Sequence, residues 1–135
     1  MMRVLSLLAC LPAIAFSIAA SAAVAEQLPG GIAIQHDVVG SGAKPVATSR
    51  VEVHYVGTLP DGRVFDSSLN RGKTITFPLQ GVIPCWTAAV QAMAEGGKAT
   101  IFCPAATAYG ERGVGTLIPP NTNLTFKVQL IKVLS

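Results

Sequence analysis

Polar and apolar residues alternate through most of this 135-residue chain, and one short stretch breaks the alternation. Val51, Val53 and Tyr55 fall on one face of a run, with Glu52 and His54 on the other, as in a half-buried strand. The break comes at Val82-Ile83-Pro84-Cys85-Trp86, which leads into a segment ending near Met93. There Trp86, Ala89 or Val90, and Met93 recur three, four and seven residues apart, the spacing of one helical stripe. Pro84 suits a helix entrance, where a missing N–H costs little, and Gly96-Gly97 is a stop signal. A helix of about three turns is marginal alone and must be held by packing on a sheet. Trp86 is the only tryptophan, and its indole is expected to form the floor of a hydrophobic pocket with the strands curving around it.

The strands are read from the same period. Residues 31–39 form a first strand, and residues 40–45 a loop. Residues 50–59 and 63–66 make a hairpin about Pro60-Asp61-Gly62, in which proline fixes φ and glycine takes the left-handed position. A polar loop at 67–72 precedes a strand at 74–79. Lys98 to Cys103 is strand-like and halted by Pro104. Residues 105–120 are a long connection, a length that usually marks function or disorder. In the closing run Leu124, Phe126, Val128 and Leu130 face inward. Residues 26–30 read as a tether. The result is an α+β domain with a curved antiparallel sheet of about five to six strands and one short α-helix.

The N-terminus has a different character. Arg3 precedes an apolar, Ala-rich run, and Ala23-Val24-Ala25 matches a small-residue cleavage site. That layout is a secretory signal peptide, expected to be removed after Ala25 and to leave residues 26–135 as the folded domain. The formal net charge is only +3, and no Lys/Arg block is present, so nucleic-acid binding is not expected. No metal-ligand spacing and no Gly-rich phosphate loop occur, so neither a metal nor a cofactor is expected. His36 and His54 read as solvated strand residues.

What remains is an aromatic and apolar set: Tyr55, Phe65, Phe77, Val82, Ile83, Trp86, Tyr109, Ile118 and Phe126. These residues could simply be the core. Tyr109 in a Gly-rich loop, and the charged, hydroxyl-rich stretch directly after Phe65, look instead like the rim of a cavity.

Several ordered motifs carry a family resemblance. VEVHYVGTLPDGRVFDSS at 51–68, VIPCW at 82–86, AYG at 108–110, LIPPNTNLTF at 117–126 and the closing strand resemble the FKBP-type peptidyl-prolyl cis/trans isomerases. The VIP-x-W form and the short link from Phe77 to Val82 look most like the exported bacterial branch that includes the macrophage infectivity potentiators. The resemblance implies a half-barrel wrapped on the helix, with Trp86 as pocket floor. Tyr55, Phe65, Val82, Ile83, Tyr109 and Phe126 are the implied walls. Asp66 is the implied acid at the pocket edge, paired with Arg71. Ile83 would offer its backbone N–H and Tyr109 its hydroxyl, and Ile118 falls in the flap over the pocket. Ile75 stands where many relatives carry a pocket phenylalanine, which lowers one wall.

The implied activity is rotation of X-Pro bonds in proline-containing segments of exported proteins, in an oxidising compartment such as a bacterial periplasm. The implied ligands extend to macrolide immunosuppressants. A peptide-binding or chaperone module on the same fold, with little catalysis, is the alternative. The chain lacks the long N-terminal helical segment of the dimeric relatives, and a monomer is expected. Cys85 at the helix entrance and Cys103 at the end of the next strand could lie close, and export permits a disulfide. Two buried thiols are the other reading.

Overall fold

The computed structural model describes residues 24–135, so most of the expected signal peptide lies outside the described residues. All strand pairings are antiparallel. The elements are β1 (Val24–Leu28), β2 (Ile32–Val38), β3 (Arg50–Thr58), β4 (Val64–Ser67), α1 (Ser68–Arg71), β5 (Ile75–Pro78), α2 (Pro84–Gln91), β6 (Lys98–Cys103) and β7 (Leu124–Val133). The sheet runs β1-β2-β6-β7-β3-β4, and β5 also pairs with β3. Strand β3 is therefore flanked along one side by β7 and along the other by β4 and β5 in turn.

The alternation in β3 does what its sequence requires. Val51, Val53 and Tyr55 are buried, while Glu52 and His54 lie on the other face and are only partly covered. Leu124, Phe126, Val128 and Leu130 of β7 are buried in the same way. Helix α2 lies against this apolar face and buries Cys85, Trp86, Ala89 and Val90. Each fully buried aliphatic or aromatic side chain of this kind contributes roughly 1.5–3 kcal/mol, which supplies the packing so short a helix needs.

Three features depart from the sequence reading. The sheet has seven strands, because Val24 and Ala25 of the expected cleavage site and residues 26–28 of the expected tether form β1, paired from Val24↔His36 to Leu28↔Ile32. Helix α2 ends at Gln91, short of Met93 and well before Gly96. Tertiary hydrogen bonds claim the backbone beyond it: the Glu95 N–H donates to Ala43 O, and the Gly96 N–H to Leu130 O. Met93 is nonetheless buried. The polar loop after β4 contains the four-residue helix α1, capped by the Ser67 side chain, which accepts from the Asn70 N–H.

Cys85 and Cys103 are joined by a disulfide, with Cα atoms 5.7 Å apart. It ties the first turn of α2 to the end of β6.

Candidate active site

Trp86 is set by the first turn of α2 and is nearly buried, at 4% exposure. Three rings meet it edge to face: Tyr55 at 5.3 Å, Phe77 at 5.5 Å and Phe126 at 5.4 Å between centroids. Such pairs are favourable because a positive ring edge meets a negative face. Each of the three rings comes from a different strand, β3, β5 and β7, so the sheet's curvature gathers them around one indole. Above this floor opens a cavity of about 450 Å³. Its lining comprises Tyr55, Phe65, Asp66, Phe77, Gly81, Val82, Ile83, Trp86, Tyr109 and Phe126.

One polar cluster edges the cavity. The Tyr55 hydroxyl donates to Asp66 Oδ2 at 2.5 Å, and Arg71 Nη1 donates to Asp66 Oδ1 at 2.7 Å. Arg71 Nη2 also reaches the Tyr55 hydroxyl oxygen at 3.4 Å. Helix α1 makes this possible by turning the chain back within five residues, so that Arg71 returns to Asp66. The buried Ser68 hydroxyl pins that turn to β3, accepting from the Tyr55 N–H at 2.7 Å. Burial alone would raise the Asp66 carboxyl; the hydrogen bonds from Tyr55 and Arg71 outweigh it and hold Asp66 below its ordinary value. The Tyr55 hydroxyl is pushed up by burial and by donation to Asp66. Asp66 is therefore an anion at neutral pH, and Tyr55 is a neutral donor already committed to it.

Most residues named from the sequence converge here. Tyr55, Phe65, Asp66, Val82, Ile83, Trp86, Tyr109 and Phe126 line the cavity, and Arg71 stands behind Asp66. Two do not. Ile118 is buried at 2% exposure in the core and is absent from the lining. A backbone bridge with Val114, in which each residue's N–H donates to the other's carbonyl, folds that part of the loop so that Ile118 serves as its anchor. Ile75 packs against the core, also outside the lining. Phe77, two residues along the same face of β5, is the wall there instead. The sequence signal was available, since a period of two puts Ile75 and Phe77 on one face opposite Val53 and Val51.

The cavity offers apolar surface and few polar groups. The Ile83 N–H, immediately before α2, has no hydrogen-bond partner among the described residues. Tyr109 is 40% exposed at the mouth.

Comparison with known proteins gives the same direction. The family model for FKBP-type peptidyl-prolyl cis-trans isomerases matches residues 41–131. The isomerase FkpA of Aeromonas hydrophila is 52% identical over 103 residues, covering 76% of this chain and 38% of that protein. The outer membrane protein MIP of Legionella longbeachae is 48% identical over 106 residues, covering 78% of this chain and 46% of that one. The chain thus spans less than half the length of these two curated relatives. Among solved structures, a peptidyl-prolyl cis-trans isomerase of Pseudomonas syringae superposes with a TM-score of 0.78 at 43% identity, covering 82% of this chain and 81% of that one. With the matched model spanning the sheet from the loop before β3 to β7, and the aromatic cavity in place, the chain belongs to the FKBP-type peptidyl-prolyl cis-trans isomerase family.

Proposed function

We propose that the chain accelerates rotation about X-Pro peptide bonds in segments of exported proteins, with residues 26–135 as the working domain. The observation that carries this reading is the aromatic cavity floored by Trp86, with one polar edge at Asp66 and one free backbone donor at Ile83 among the described residues.

Rotation of an X-Pro bond crosses a barrier of roughly 18–20 kcal/mol and requires no covalent step. Twisting breaks amide resonance and makes the carbonyl less polar. An apolar cavity holds the twisted amide better, relative to the planar one, than water does. The proline ring would rest on Trp86, between Tyr55, Phe65 and Phe126. The Ile83 N–H would hold a carbonyl of the peptide, fixing it while the other side of the bond turns. Asp66, kept anionic by Arg71 and Tyr55, would place a fixed negative charge near the twisted carbon. Every ~1.4 kcal/mol gained in this way speeds rotation about tenfold.

Export to an oxidising compartment fits the N-terminal sequence, and the Cys85–Cys103 pair agrees with it. Macrolides that mimic a proline ring would occupy the same apolar cavity. The test is turnover of an X-Pro peptide by the full chain, beside Phe65→Ala and Asp66→Ala. Both variants should keep the wild-type circular dichroism and lose about tenfold to a hundredfold in kcat/KM, equivalent to roughly 1.4–2.8 kcal/mol. Loss of folding in both would return these residues to the core and remove the reading.

A further inference from the structure

Gly57 lies buried on β3, on the same face as Tyr55. Its partners across the sheet are Asp66 on β4 and Phe126 on β7, both in the cavity lining. Just here the β3–β4 register shifts: Gly57 faces Asp66 while Thr58 faces Val64. Phe65 is the extra residue, the bulged position of the hairpin.

The Phe65 ring covers the bare Cα. A Cβ on Gly57 would stand 2.5 Å from Phe65 Cζ, 2.8 Å from its Cε2 and 2.9 Å from Phe126 Cε1. Those same two rings meet edge to face, 5.6 Å between centroids at 81°. Gly57 is not among the glycines with positive φ, so its backbone does not require glycine. Space, not conformation, demands the glycine. Glycine inside a strand otherwise weakens it and marks a close approach.

We propose that Gly57 is a positioning residue for the cavity. Its missing side chain is the seat on which the bulge lays Phe65 against Phe126, and the depth of that seat sets the cavity's width above Trp86. A methyl group at 57 lifts both rings into the cavity and narrows it. For its activity readout the proposal rests on the isomerase reading; the ring positions can be read without it.

Gly57→Ala, Phe65→Leu and the double variant of the full chain test this. Gly57→Ala should lower kcat/KM about tenfold, mainly through a higher KM, and should shift the Phe65–Phe126 ring cross-peaks in NMR spectra. Leucine at 65 lacks the Cζ and Cε atoms that the new methyl would meet. In that background only the 2.9 Å approach to Phe126 Cε1 remains, so the same substitution should cost clearly less than in the wild-type chain, a failure of additivity expected for residues in contact. Equal losses in both backgrounds, or unmoved ring resonances in Gly57→Ala, overturn the proposal. If Gly57→Ala alone does not fold, folding of the double variant supports the seat, and its failure to fold overturns it. If the wild-type chain has no turnover, the isomerase reading falls and the ring cross-peaks decide Gly57 alone.

Discussion

The floor and the flap of the cavity are built in opposite ways. Cys85, Trp86, Ala89 and Val90 of the floor are all 4% exposed or less, and a disulfide joins Cys85 to β6. In the flap, residues 105–120, Tyr109, Val114 and Leu117 are 40%, 37% and 49% exposed. The buried Ile118, the Val114–Ile118 bridge within the loop, and hydrogen bonds from the Ala105 N–H to Asn123 Oδ1 and from the Asn121 N–H to Gly110 O hold it in place. The difference teaches where stability and recognition reside. The floor is continuous with the core, so damage to it unfolds the protein. The flap brings Tyr109 to the mouth and is anchored in the core through Ile118, while Val114 and Leu117 stay exposed, as is common in loops carried on a rigid scaffold.

Trp86→Ala breaks this comparison most severely. Truncating a buried aromatic costs about 3–5 kcal/mol, here with three ring partners lost. Denaturant unfolding should show that loss, together with loss of turnover. Replacing both Cys85 and Cys103 by alanine opens an 18-residue link and should cost roughly 3 kcal/mol, read as a lower Tm with kcat/KM of the folded protein largely kept. Protein from an oxidising compartment should show no free thiol in 26–135; two free thiols would contradict the tie.

A smaller effect is set by pH. The folded-state value of Asp66 lies below its ordinary one, so its stabilising contribution is present above the unfolded value, about 3.9, and is lost as pH falls through the folded value. Asp66→Asn should flatten that acid limb in a pH series of unfolding midpoints. Because Asp66 and Arg71 are well exposed, solvent keeps the amplitude small. Smallest of all is Leu117→Ser in the flap, which should change stability by within about 0.5 kcal/mol while raising KM for peptides with bulky apolar residues beside proline. A large loss of stability in that variant would erase the distinction between floor and flap.

Much of this architecture was legible because period and burial coincide. The alternation in β3 and β7 names the concave face directly, and Trp86 stands out as the one large ring in the one helical stretch. The cysteine pair was readable as a candidate because its two residues flank a helix and the strand that follows it. Strand β1 was not legible: Val-Ala-Glu-Gln-Leu has no alternation, and it is a strand only because β2 offers an open edge. Ile118 escaped for a related reason, since its direction depends on the bridge to Val114, not on a period. The role of Gly57 was hidden for a third reason. A glycine in a strand reads as a local weakness until the bulge at Phe65 shows what fills the space.

The central claim is that the cavity above Trp86 turns X-Pro bonds. NMR exchange spectroscopy on a short X-Pro peptide, with catalytic amounts of the full chain, measures it most directly. Uncatalysed exchange takes tens to hundreds of seconds. The wild-type chain should bring the cis and trans resonances into exchange on a timescale of about a second or less, and Phe65→Ala should largely abolish this. Folded wild-type protein that binds the peptide and leaves the exchange rate unchanged would contradict the account.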